Sequence, residues 1–407
     1  MSSGSDVSTR GRRRDRARRT LLIALLVLVL LLTLGLYLWK SGAFGKSGLT
    51  AAESAASAPV QPSSAWRSGG QAAWSVAPNL SGDFTGQFAA SKDVAVVVDS
   101  EGNAVSYRIG KGSAEQQWTA KFAPQPDAAV SAVIFGNYLM VDGEPHDLRT
   151  GKPAQSAPLT AAHVVGQAAF DQAYVLCTAD QVCSFYDHEL DRIWQTRVDD
   201  VSGILRAVRL DGDEYALRLL DNAWSAVNVV TGEDTPLAVP PGSQLGSTVR
   251  DGWVFNADDM TVLARPDGTR EAGRIDWAPT GDARFAFTPG SGQSTVADVA
   301  YIYFGTEAGA PENQIRGVLD RDACSLEVRG AQLRIGTGPA GCYLWGNATS
   351  PDGRLLAADG PNGLLLLDLR GGSVETLSPS AGKFVAPELF VAWDYQSSSL
   401  VGLVPAK

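Results

Sequence analysis

Histidine, methionine and cysteine are scarce, with three, three and four copies in 407 residues. Three histidines leave little from which to build a zinc centre, and no C-x-x-C supplies its thiolate half. His146, His163 and His188 do not fall at ligand spacing from the cysteines, so no metal is expected. The phosphate-cradling G-x-x-x-x-G-K-[ST] loop is missing. So is the G-x-S-x-G nucleophile elbow; its nearest imitation, Gly290-Ser291-Gly292 with Ser294 beyond, reads as a glycine-serine loop. Beyond one N-terminal run, no apolar stripe of helical period extends over ten residues, which excludes a largely helical body.

What is present begins with a charge asymmetry. The formal charge is −10. The first 20 residues hold seven arginines (Arg10, Arg12, Arg13, Arg14, Arg16, Arg18, Arg19) and two acids (Asp6, Asp15), a balance of +5 that leaves −15 on the remainder. An acidic body is the wrong sign for releasing counterions from phosphates, so no nucleic-acid partner is expected. The arginines instead precede an uncharged run, Leu21 to Trp39. As a helix, its 19 residues would be about 28 Å long, close to the ~30 Å hydrocarbon core of a bilayer. Tyr37 and Trp39 sit at its far end, where amphipathic rings prefer the interface. Basic residues before and acidic residues after orient the N-terminus to the cytoplasm and the rest outside. An uncleaved anchor is favoured over a signal peptide: the apolar core is long, and small residues first cluster at Ala51 to Ala58. The expected organisation is a cytoplasmic Arg-rich tail (1–20), a transmembrane helix (21–39), an Ala/Ser/Pro-rich linker (40–68) and an extracytoplasmic domain (69–407).

All four cysteines lie in that last segment: Cys177, Cys183, Cys324 and Cys342. An even count outside the cytoplasm suits two disulfides. Three pairings are possible; proximity favours Cys177–Cys183, across a tight turn at TADQV, and Cys324–Cys342.

The domain is written in short apolar runs, such as Val94–Val98, Tyr138–Val141, Tyr174–Cys177 and Leu364–Leu369, separated by Gly, Asp, Asn and Pro. This is all-β texture. Turn markers recur at Gly70, Lys111, Gly151, Asp191, Gly232, Gly268, Asp322 and Gly371, with gaps of 41, 40, 40, 41, 36, 54 and 49. A period near 40 is that of four-stranded propeller blades, which bury their flanks on one another. Eight markers predict eight blades, with seven as the alternative. The strand Gln71–Val76 is expected to complete the last blade, whose inner strands come from ELFVAWDYQSSSLVGLV, so that no sheet edge is left open.

The stretches Val96–Trp118 and Tyr174–Trp194 resemble repeats of the quinoprotein-dehydrogenase-like propellers: apolar strand, small turn, strand, turn, closing Trp. Met140–Lys152 and Trp224–Glu233 are degenerate copies, and Ser350–Gly372 looks more like a WD40 or TolB blade. The resemblance covers the whole domain. It implies that Trp74, Trp118 and Trp194 dock blade on blade. The family's dehydrogenases also hold a quinone and calcium in an axial funnel and carry adjacent cysteines and a catalytic aspartate. No Cys-Cys pair exists here, and the sequence is nearer the family's non-enzymatic members, among them an outer-membrane assembly lipoprotein that binds proteins.

No catalytic residue and no cofactor are therefore expected. His146 and His188 are placed in solvent-facing turns, and His163 at the start of a strand. Asp99, Glu101 and Asn103 imitate a calcium loop but lack its bidentate Glu and read as a hairpin turn. The pairs Asp199-Asp200, Asp213-Glu214 and Asp258-Asp259 read as solvated turns rather than a glycosidase pair. Arginine outnumbers lysine 26 to 8, and alanine and glycine are abundant, as in the GC-rich coding of actinobacteria. The expected function is a plasma-membrane-tethered binding or scaffold module that engages a protein or envelope polymer. The alternative is a quinone-dependent or glycan-active propeller enzyme.

Overall fold

In the computed structural model the chain divides into two units, Met1–Leu49 and Thr50–Lys407. The structure describes residues 60–407 except 81–86, 124–129, 155–158, 161, 275–281, 290–292, 308, 338–341, 362, 379–381 and 395, and leaves the side chains of 345–347 and 378 undescribed. The span read at 21–39 lies outside the described residues. Among those described, no helix is long and apolar enough to cross a membrane.

Residues 60–407 form an eight-bladed β-propeller. Among the described residues, seven of its antiparallel sheets have four strands and one has three. Blade 1 spans residues 87–121, blade 2 132–147, blade 3 164–197, blade 4 207–236, blade 5 244–273, blade 6 282–334 and blade 7 345–378. Blade 8 takes three strands from the C-terminus, Gly382–Ala386, Leu389–Asp394 and Ser399–Pro405, and its fourth, Gly70–Val76, from the start of the domain. That fourth strand pairs antiparallel with the last, from Gly70 opposite Pro405 to Val76 opposite Leu400. Ala406 N–H donates to Gly69 O at 2.8 Å and continues the seam. The expected closure is thus present, and it removes the edge on which a ring would otherwise open.

First strands of neighbouring blades lie side by side, Gln87–Ala90 with Ala132–Phe135 and the latter with Val164–Ala169, which places them innermost. The four residues of Gln87–Ala90 are buried, as are all five of Val94–Val98. Outer strands such as Ala114–Lys121 alternate between water and the neighbouring blade. The apolar cores lie between blades. One joins Val97, Val105 and Tyr107 of blade 1 to Leu389, Val391 and Trp393 of blade 8. Another joins Leu319, Leu326 and Leu333 of blade 6 to Leu356, Leu365 and Leu367 of blade 7.

Two sequence expectations need correction. Residues 60–68, read as linker, are packed. Ser64–Ser68 is a 3₁₀ turn whose Trp66 is 1% exposed and stacks edge-on against Phe384. The Trp66 indole N–H donates to Pro387 O at 2.8 Å. Trp66 fills the space between blades 7 and 8 with Ala357, Leu366 and Phe390. Second, the marker at Asp322 lies between the second and third strands of blade 6; its third-to-fourth turn is Arg329-Gly330. The body is all-β with little helix, as expected from the sequence. Besides a single turn, α1 (Val201–Ile204), an insert between the first two strands of blade 6 forms α2 (Val296–Phe304). The α2 start is a capping box: Thr295 Oγ1 accepts from Asp298 N–H at 3.2 Å, and Asp298 accepts from Thr295 N–H at 2.9 Å.

Candidate functional site

The tryptophans repeat one geometry. Trp118, on the outer strand of blade 1, donates its indole N–H to Leu148 O of blade 2 at 3.0 Å. Trp194 of blade 3 donates to Val229 O of blade 4 at 2.9 Å, and Trp74 of blade 8 to Gly110 O of blade 1 at 2.8 Å. Val229 and Gly110 lie in the turns between the third and fourth strands of blades 4 and 1, and Leu148 lies in the turn after the third strand of blade 2. Below two of the rings the turn holds a glycine at positive φ, Gly151 (68°) and Gly232 (72°). A Cβ at Gly151 would lie 2.7 Å from the Trp118 ring, so glycine is needed there for both backbone and space. The apolar ring and its polar N–H are satisfied together, which makes the contact specific as well as favourable.

The cysteines form Cys177–Cys183 and Cys324–Cys342. The first pair sits directly opposite on neighbouring strands of blade 3, both residues fully buried. The second ties the turn between the second and third strands of blade 6 to the loop leading into blade 7, which carries the half-exposed Tyr343.

The titratable groups singled out in the sequence separate rather than converge. His146 lies within the strand Glu144–Asp147, not in a turn, and is 5% exposed against the Phe122 ring at 4.4 Å. Burial pushes its imidazole below the usual histidine pKa. His188 does occupy a turn, where its ring stacks on Phe135 at 4.6 Å and hydrogen-bonds Asp171 O at 2.9 Å. His163 is exposed just before Val164–Ala169. Asp99 is fully buried and accepts from Glu101 N–H and Asn103 N–H at 2.9 and 2.8 Å; its carboxylate is the staple of a hairpin turn. Among the described residues no group of three or more His, Cys, Asp or Glu could hold a metal.

Of the carboxylate pairs, Asp200 caps α1 through Ser202 N–H, and Asp259 pairs with Arg274. Glu214 is not a solvated turn residue. It is completely buried, accepts from Asp171 N–H and Gln172 N–H at 3.1 and 2.8 Å, and pairs with Arg209 at 2.9 Å. Burial raises its pKa against those donors. The cluster ties blade 3 to blade 4.

One flank departs from the rest. In blade 1 the cross-sheet row Ala89–Val96–Ser106–Trp118 is buried at every position. In blade 6 the row Arg284–Val318–Glu327–Gln332 is exposed at every position, Val318 at 42%. Blade 6 packs its other flank on blade 7, so this row faces blade 5. The partner it would have met is already covered: Val296, Val299 and Ala300 of α2 pack on Val249, Val254 and Leu263 of blade 5. The Phe304 ring lies against Gly273, and the Arg284 guanidinium against Gly305 at the end of α2. Arg316 pairs with Glu307 at 2.6 Å and lies 4.5 Å over the Tyr301 ring. Sequence reading missed this flank.

No family model and no curated protein matches the chain. Among solved structures, BamB from Moraxella catarrhalis is 14% identical, covers 78% of this chain and 82% of its own, and has a TM-score of 0.36. The computationally designed Ika8 protein is 14% identical, with 78% and 95% covered and a TM-score of 0.45. The C-terminal WD40 domain of Sif2 is 9% identical, with 83% and 99% covered and a TM-score of 0.44. The eight-bladed ring itself rests on this chain's own strand pairing.

Proposed function

We propose that the chain is a membrane-tethered, extracytoplasmic binding module of a bacterial envelope, with residues 21–39 as its anchor and the propeller as a rigid platform for a protein or polymer. The observation that carries this reading is the way the ring is closed and oxidised. Its first strand zips onto its last, and both cysteine pairs are disulfides, which persist in oxidising compartments and are rare in the cytosol. Arg-rich residues before the apolar run and acidic sequence after it support the same orientation. The buried carboxylates support a platform rather than a reaction centre, because Glu214 and Asp99 are occupied with backbone N–H groups.

The test is to treat intact cells expressing the full chain with an impermeant protease. Digestion of the ring, with the Arg-rich tail protected until the cells are lysed, is the expected result. A ring protected in intact cells overturns the topology. Turnover of an alcohol or sugar by the purified chain with added quinone overturns the non-enzymatic reading.

A further inference from the structure

Both seams beside blade 8 are closed by indoles from one short stretch of chain. We infer that Ser63–Val76 is a strap latched at Trp66, and that unseating this one ring lets the ring-closing strand peel away while the other blades stay folded. The device is independent of the proposed anchor and of any partner.

Trp118 and Trp194 dock blades from the outer strands of their own blades. Blade 7 has no tryptophan on its outer strand, Ser373–Ser378. The indole between blades 7 and 8 is instead Trp66, which precedes the first strand of the domain. It donates to Pro387 O, and Ser63 N–H donates to the same oxygen, both at 2.8 Å. Two donors on one carbonyl fix the 3₁₀ turn to the turn between the first two strands of blade 8. Gly70 N–H then donates to the Glu375 carboxylate of blade 7 at 3.0 Å. Further along the same stretch, Trp74 reaches across the other seam to Gly110 O of blade 1.

The strand itself is held less firmly than the turn before it. Trp74 is the one buried residue of Gly70–Val76; the rest are exposed or half-buried. The strand is the outermost of blade 8 and pairs on one side, with Ser399–Pro405. An edge strand with few buried contacts opens at a low free-energy cost. Trp66, by contrast, is 1% exposed among Leu364, Leu366, Phe384 and Phe390. Much of the apolar burial that retains the strap therefore lies ahead of the strand. Chain order gives the latch a direction. A pull on the chain before Val60 meets Trp66 before it meets the strand, so the hydrogen bonds of the seam are shielded while the indole is seated. Once the indole leaves, the strand peels from its Gly70 end and Ser399–Pro405 becomes a bare sheet edge.

The experiment is hydrogen exchange read by mass spectrometry on the full chain in lipid nanodiscs, comparing the parent with Trp66→Ala. Amides of Gly70–Val76 and Ser399–Pro405 should exchange at least about tenfold faster in the variant, with those of blades 3 to 5 unchanged. Trp118→Ala, the same deletion at another docked indole, should speed exchange in blades 1 and 2 and leave the strap protected. Acceleration spread evenly over all blades in Trp66→Ala overturns the latch, because Trp66 is then one core residue among many. Unchanged exchange at the strap overturns it as well. Where Trp66→Ala does not fold, Trp66→Phe, which keeps an aromatic ring but loses the N–H, should show the same local pattern to a smaller degree. Failure of both variants to fold overturns an opening separable from the rest of the ring.

Discussion

Blades 1 and 6 are both four-stranded antiparallel sheets, yet a side-chain row that is hidden across the first lies bare across the second. The difference arises between the blades rather than within them. Blade 1 meets blade 2 through an indole that reaches the next turn, so the two close together around a shared core. Blade 6 meets blade 5 through an inserted helix, which packs on the blade 5 surface, touches blade 6 at Arg284 and Arg316, and leaves the row from Arg284 to Gln332 in water. A propeller can therefore give up one interblade contact when a short helix keeps the neighbouring surface dry. What it gains is a flank free to carry polar side chains.

That comparison can be broken most directly at the tryptophans. Trp118→Ala should destabilise the ring by about 3–5 kcal/mol, the range for removing a large buried aromatic, and Trp194→Ala, at a partly buried ring, by less; urea unfolding checks this. A loss below about 1 kcal/mol would show that the docked seams are no tighter than the open one. Next in size are the disulfides. Replacing both members of Cys324–Cys342 with alanine should cost roughly 3 kcal/mol and of Cys177–Cys183 roughly 2 kcal/mol, because the first closes 18 residues and the second 6. The reverse order in calorimetry would point to packing rather than chain entropy as the source.

Protonation separates a closed seam from an open one. Arg284 and Glu327 are exposed, whereas His146 is buried beside Phe122. Its folded pKa lies below the ordinary 6.5, so the unfolded chain takes up the proton first as pH falls. Stability should therefore be fully present above about pH 6.5 and decline below it until the folded pKa is passed. His146→Phe should flatten that slope in thermal melts between pH 7.5 and 5; an unchanged slope would place the titrating group elsewhere. The smallest effect belongs to Val318. Val318→Ala should change stability by no more than about 0.5 kcal/mol, as at an ordinary surface site. A cost above about 1 kcal/mol would mean that the flank is covered in solution.

The sequence made the ring legible because its period comes from turn chemistry, which is local. Gly232 and Gly268 each mark the turn between the third and fourth strands of a blade, and Gly151 marks the turn after the third strand of blade 2. The same local signal misled at Asp322, since a tight turn looks alike whichever pair of strands it joins. Helix α2 was hidden by its length. Nine residues are too few to show an apolar stripe, although Thr295-x-x-Asp298 before VAYIYF was a readable N-terminal signature. Trp66 was hidden by its company of Ala, Ser and Pro, because one anchor residue has no period. The bare row on blade 6 was the least legible. Exposure there depends on what a neighbouring blade packs against, and no stretch of local sequence records that.

The zipped seam also sets the timing of assembly. Gly70–Val76 is synthesised some 330 residues before its partner Ser399–Pro405. At ~10 residues per second the early strand waits roughly half a minute with its hydrogen-bonding groups unmatched. Seven blades can form in order as they are made, but the circle stays open until Ser399–Pro405 has been made. A chain truncated by even its last few residues would keep nearly all of its blades and still lack a ring.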